Sequence, residues 1–148
     1  MKRRHIPTVL KRKSCGMGYF SMDEQRCLEW LRLARDDLDA ARFLLGMKPR
    51  KIEIICYHCQ QCAEKSLKSI LAFFEDEIPR THDLRTLLKQ GCFHFHELDP
   101  LAESLAELQP YAVSVRYPYE IEVIEGDEEK AIAAASLVHE TCKKVLGL

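Results

Sequence analysis

The chain has 148 residues, 47% of them hydrophobic and 30% charged, with six glycines and six prolines, a balance that fits one globular domain and excludes collagen-like or wholly disordered structure. Its formal net charge of -1 conceals an asymmetry: residues 1–21 hold six basic residues and no acid, leaving 16 basic against 23 acidic residues from Met22 onward. That net of -7 argues against a broad nucleic-acid-binding face and leaves room only for a local basic patch.

No apolar run reaches the roughly 18 residues that a membrane span needs. No apolar segment follows the basic N-terminus either, so a cytoplasmic protein is expected. Seven cysteines without a secretory leader read as buried thiols rather than a disulfide framework. Residues 1–21, with Pro7, Gly16, Gly18 and no helical stripe, read as a flexible basic arm. Such an arm suits nucleic acid, but a translational overhang is the favoured reading, because Met17 and Met22 are both plausible starts. Residues 22–148 form the expected domain.

Ser21 followed three positions later by Glu24 is a capping box, and it opens a first helix. Cys27, Leu31, Ala34, Leu38, Ala41 and Leu45 make its apolar stripe, and Gly46 ends it. Pro49 opens a second helix that runs to about Glu75. Thr81 or Asp83 caps a short third helix with Leu84, Leu87 and Leu88, stopped by Gly91. Asp99 and Pro100 start a fourth, through Leu101, Leu105 and Leu108, which kinks or stops near Pro110. Val113 to Glu125 alternates like a strand without a partner and reads as an extended loop. Asp127 caps the last helix, whose Ala131, Ala134, Ala135, Val138, Cys142 and Val145 make a face for close packing. The expected fold is all-α: an antiparallel four-helix up-and-down bundle with an additional short helix.

The stretch Cys56-Tyr-His-Cys-Gln-Gln-Cys62 has the spacing of a metal or redox motif. On a helical wheel, however, Ile52, Ile55, Cys56, Cys59, Ala63, Leu67 and Ile70 share one apolar arc with Cys62 at its edge. A continuous helix also separates the outer two cysteines by about 9 Å along its axis, too far for three thiolates to meet on one ion. Packing is the expected role, and no metal or cofactor is expected. Tyr57, His58, Gln61, Glu64, Lys65 and Lys68 lie opposite, with Glu64 and Lys68 spaced as a helical ion pair; read alone, this is a solvated face.

Other candidates are weaker. Cys92, His94, His96 and Glu97 are potential ligands within six residues, although loop histidines are commonplace. His139 and Cys142, three apart on the last helix, have no partners for nucleophilic chemistry. Gly16-Met-Gly18 lacks the strand and third glycine of a dinucleotide loop.

Taken in order, Cys56-Tyr-His-Cys-Gln-Gln-Cys-Ala-Glu-Lys-Ser-Leu-Lys68, then Thr81-His-Asp-Leu84, then Arg116-Tyr-Pro118 resemble the HEPN domain family over roughly residues 22–146. The resemblance implies a helical bundle, usually a homodimer, often encoded beside a minimal nucleotidyltransferase with which it forms a two-component module. It also implies two alternative activities. One is nucleotide binding, for which the candidates are Lys65, Lys68 and Arg116 on phosphate, His82, and Tyr117 as a stacking surface. The other is metal-independent RNA cleavage in a toxin-antitoxin pair, which resembles a pattern of arginine followed by histidine after four to six intervening positions.

Arg116 matches that arginine, but the positions where the histidine belongs hold Ile121, Glu122 and Val123, and no histidine follows until His139. The nuclease reading therefore needs a proton-transfer group from elsewhere, with His58, His82 and His139 as candidates. The resemblance favours a binding or regulatory component marked by Arg-Tyr-Pro, with no catalytic residue assigned.

Overall fold

The computed structural model describes residues 21–114 and 122–148, and every regular element among them is helical. Helices α1 (Met22–Leu44), α2 (Ile52–Phe73) and α6 (Asp127–Leu146) are long. Helices α3 (Leu84–Cys92), α4 (Ala102–Leu108) and α5 (Tyr111–Ser114) are short, and a 3-10 turn over His96–Leu101 leads into α4.

The start of α1 follows the sequence closely. Ser21 Oγ accepts the Glu24 amide at 3.2 Å and the Glu24 carboxylate accepts the Ser21 amide at 2.8 Å, which closes the capping box. Four other boundaries differ from expectation. Pro49 precedes α2 by three residues, and Lys51 stands at the cap position. Gly91 does not stop α3 but lies within its last turn, where a Cβ would sit 3.0 Å from Leu98 Cδ1, so the following turn packs tightly over it. Asp99 and Pro100 fall inside the 3-10 turn, so α4 proper begins only at Ala102. Gly126, at φ 98°, rather than Asp127, caps α6. Asp127 instead accepts the Ile124 amide at 3.1 Å.

Helix α2 occupies the centre. Its contacts with α1 run in opposite order along the two helices, with Lys68 over Trp30 and His58 against Asp37, so the pair is antiparallel. Contacts with α6 run in the same order, Cys62 to Ala135 and Ser66 to His139, so α2 and α6 are parallel, as alternate members of an up-and-down bundle must be. Ser66 to Ala72 are buried without interruption. A helix enclosed on every side needs partners for its polar residues as well as its apolar ones.

The thiols follow the apolar arc. Cys56, Cys59 and Cys62 have no exposed surface, and Cys27 and Cys142 join them in the core with Leu38, Ile55, Leu67 and Val138. Burial pushes the Cys27, Cys56 and Cys62 thiols up to about 12 and raises Cys59 and Cys142 as well. These are packing groups, inert as nucleophiles.

Candidate functional site

Two acidic side chains, one from α1 and one from α2, organise the polar side of α2. Asp37 interrupts the stripe Ala34, Leu38, Ala41 of α1 and is carried into the seam with α2. There Asp37 Oδ1 lies 2.9 Å from His58 Nδ1, and Oδ2 accepts the Lys65 ammonium. Further along α2 from His58, Glu64 Oε1 accepts the Lys68 ammonium at 2.7 Å and Oε2 lies 3.0 Å from His82 Nδ1. The Lys68 ammonium also sits 5.5 Å from the centre of the Trp30 ring, a cation–π contact that helps compensate its burial.

His82 is held by its neighbours. Thr81 Oγ1 accepts the Asp83 amide, and Asp83 caps α3 by accepting the Arg85 amide at 3.0 Å and the Thr86 hydroxyl at 2.7 Å. The His82 carbonyl accepts amide N–H groups from Gln60, at 3.4 Å, and Gln109, at 3.2 Å. Gln109 Oε1 in turn accepts the Leu84 amide at 2.7 Å. The loop before α3 is thereby pinned to both α2 and the end of α4. Among the described residues no buried side-chain polar atom lacks a partner.

Burial opposes ionisation of Asp37, but hydrogen bonds and charge from His58 and Lys65 outweigh it and hold the carboxyl below its usual range. Glu64 follows the same balance, with Lys68 and His82 outweighing burial. Both carboxylates are thus anions at neutral pH, and the cations beside them are largely neutralised.

Of the five residues expected to bind a nucleotide, Lys68 and His82 meet on Glu64, and Lys65 lies one residue along α2 on Asp37. Arg116 and Tyr117 lie outside the described residues. Accessibility separates the three that are placed. The Lys68 side chain is 10% exposed and committed to Glu64, whereas Lys65 is 24% and His82 53% exposed. The expectation of a solvated face on α2 fails at Glu64 and Lys68, which are buried together with the neighbouring Gln60.

Asp37, Trp30, Gln60 and Gln109 were not singled out as site residues from sequence. The acid set within an otherwise apolar stripe of α1 was the available signal for Asp37.

A cleft of about 480 Å³ opens beside this corner between α3 and α4. Arg85, Leu88, Leu105, Gln109 and Pro110 contribute to its lining, largely apolar with a few polar groups, as ligand clefts tend to be. Gln109 belongs both to the cleft and to the hydrogen-bond set on His82.

Among the described residues, the other three histidines lie away from this seam. His94 stacks flat on Phe74, with ring centres 3.8 Å apart, and its Nε2 is 2.6 Å from Asp76. His96 is exposed near Asp99, so Cys92, His94, His96 and Glu97 do not assemble. His139 is buried against Ser66 at 3.1 Å, and burial depresses its basicity.

The sequence model of the HEPN domain matches residues 27–145. The chain belongs to the HEPN domain family. A crystal structure of an archaeal HEPN homologue is similar to it with a TM-score of 0.64 at 24% identity, covering 82% of this chain and 98% of that one. At that identity the likeness bears on the fold, which is the helical bundle expected from sequence. No curated protein matches the chain. Among the described residues no helix of this HEPN protein is long and apolar enough to cross a membrane.

Proposed function

We propose that this HEPN protein is the binding or regulatory component of a two-component module with a minimal nucleotidyltransferase, that it works as a homodimer, and that its own ligand is a nucleotide. The observation that carries the ligand reading is the convergence on Glu64 of Lys68 and of His82, the latter 18 residues from Glu64 in sequence, beside Lys65 and an apolar cleft. In this reading His82, Lys65 and Arg85 face the phosphates, while the cleft between α3 and α4 receives the base. Arg116 and Tyr117 complete the site as phosphate clamp and stacking surface. Lys68 acts indirectly, holding Glu64 and through it His82.

Calorimetric titration with ATP and other nucleotides tests this. Saturable heat that is lost in the combined Lys65→Ala and His82→Ala variant supports the site. Absence of heat across the set, with a folded protein confirmed, removes the nucleotide reading.

A second reading, metal-independent RNA cleavage as the toxin of a toxin-antitoxin pair, is favoured by one observation. His58 is oriented through Nδ1 by Asp37, an arrangement suited to proton transfer at Nε2. Its test is incubation with total RNA in the presence of EDTA. Cleavage lost in both Arg116→Ala and His58→Gln supports the nuclease, and intact RNA overturns it. His139 is the poorest of the three histidine candidates because it is buried in the core.

A further inference from the structure

The two acid-centred sets have the same composition. Asp37 joins His58 and Lys65, and Glu64 joins His82 and Lys68, so each consists of one carboxylate, one ammonium and one imidazole. Both draw on α2, where Lys65 and Lys68 are separated by about 4.5 Å of axial rise. With its imidazole neutral each set sums to zero and gives an anion no net attraction. With the imidazole protonated each sums to +1, and the seam as a whole becomes cationic.

Chemistry at the rings points the same way. Nδ1 of each ring faces a carboxylate, so the neutral tautomer carries its proton there and leaves Nε2 as a lone pair, which repels a phosphate oxygen. Protonation converts Nε2 into an N–H donor while keeping the carboxylate contact. Among the described residues, Glu64 of α2 meets the His82 ring, Lys68 of α2 shares that carboxylate with Trp30 of α1 against it, and Asp83, next in sequence, is turned to the cap of α3. Those facing His58 are Asp37 of α1 and, on α2, the Tyr57 ring, with Lys65 sharing Asp37. Lys65 with His58 and Lys68 with His82 hold the Asp37 and Glu64 carboxyls below their usual range, so a gain of positive charge at the seam falls to the imidazoles.

We propose that anion binding at this seam is coupled to proton uptake by His82 and His58, so that the protein takes a phosphate-bearing ligand tightly only with these imidazoles charged. This rests on the nucleotide reading above and adds a pH-dependent control to it.

Calorimetry with ATP as the probe, at about pH 5.5 and about pH 7.5, reads the coupling. The expected result is about tenfold tighter binding at the lower pH for each histidine engaged. Proton uptake should appear as a binding heat that changes with the ionisation enthalpy of the buffer. ATP itself loses charge as pH falls, so titration of the ligand works against this result and cannot produce it. In His82→Gln and His58→Gln, each confirmed folded by circular dichroism, the gain at low pH should shrink.

Binding that is equal or weaker at low pH, without proton uptake in the unmodified protein, overturns the coupling and leaves the nucleotide reading standing. No heat at either pH overturns both. Coupling that persists in the two variants overturns the assignment to these histidines.

Discussion

Glu64 illustrates how much of the site rests on single charges. Its side chain is 5% exposed and that of Lys68 10%, so neither ion survives in place without the other. Glu64→Gln is expected to cost about 3 kcal/mol, because it leaves a buried ammonium without its counter-ion. Adding Lys68→Met should recover part of that loss. Urea unfolding of the two variants measures both, and equal stability of Glu64→Gln and the unmodified protein would show that Lys68 finds water instead.

The same charges set the acid limit of the fold. Asp37 and Glu64 sit below their unfolded values of 3.8 and 4.5, so their contribution is complete above those values and is lost as pH falls through the folded ones. His139 acts in a higher window: its folded value lies below 6.5, so the buried neutral ring begins to cost stability as pH falls beneath 6.5. The urea midpoint should therefore decline in two stages on acidification. His139→Gln should remove the upper stage and leave the lower one.

At the scale of helices, the apolar arc of α2 was legible because a 3.6-residue period places Cys56, Cys59, Ala63, Leu67 and Ile70 together whatever the rest of the chain does. The polar side was not. His58 and Lys65 find Asp37 across 21 and 28 residues, and His82 reaches Glu64 across 18; periodicity within one helix carries no information about such partners. The capping box at Ser21 was readable because both hydrogen bonds are local. The end of α3 was misread because Gly91 answers to the distant Leu98 rather than to its own helix. Of the site, Lys68 and His82 were recognised by family pattern, whereas the cleft with Arg85 and Gln109 depends on packing between α3 and α4.

Two expectations belong to this scale. Ser21→Ala should lower stability by about 1 kcal/mol through loss of the cap. Cys56→Ala, Cys59→Ala and Cys62→Ala should each cost about 1 kcal/mol by opening a small void, and should leave nucleotide binding unchanged. In the native protein these thiols should resist a disulfide reagent until the chain unfolds. Rapid labelling of native Cys59 would contradict their place in the core.

Across the whole molecule, one feature links fold to function: α2 is enclosed by α1, α6 and the His82 loop, and its buried charges are matched from two different directions. The bundle thus holds a polar seam rigidly while leaving His82 half exposed at its edge, next to a cleft of ligand size. Sedimentation equilibrium should find the proposed homodimer, and a monomer at all concentrations would remove it. The most direct test of the seam as the ligand site is an NMR titration with ATP of protein labelled in its histidine, lysine and glutamine side chains. The His82 and His58 ring signals, the Lys65 terminal signal and the Gln109 side-chain amide should move together and saturate. ATP binding that shifts other signals and leaves these four unmoved would contradict the account.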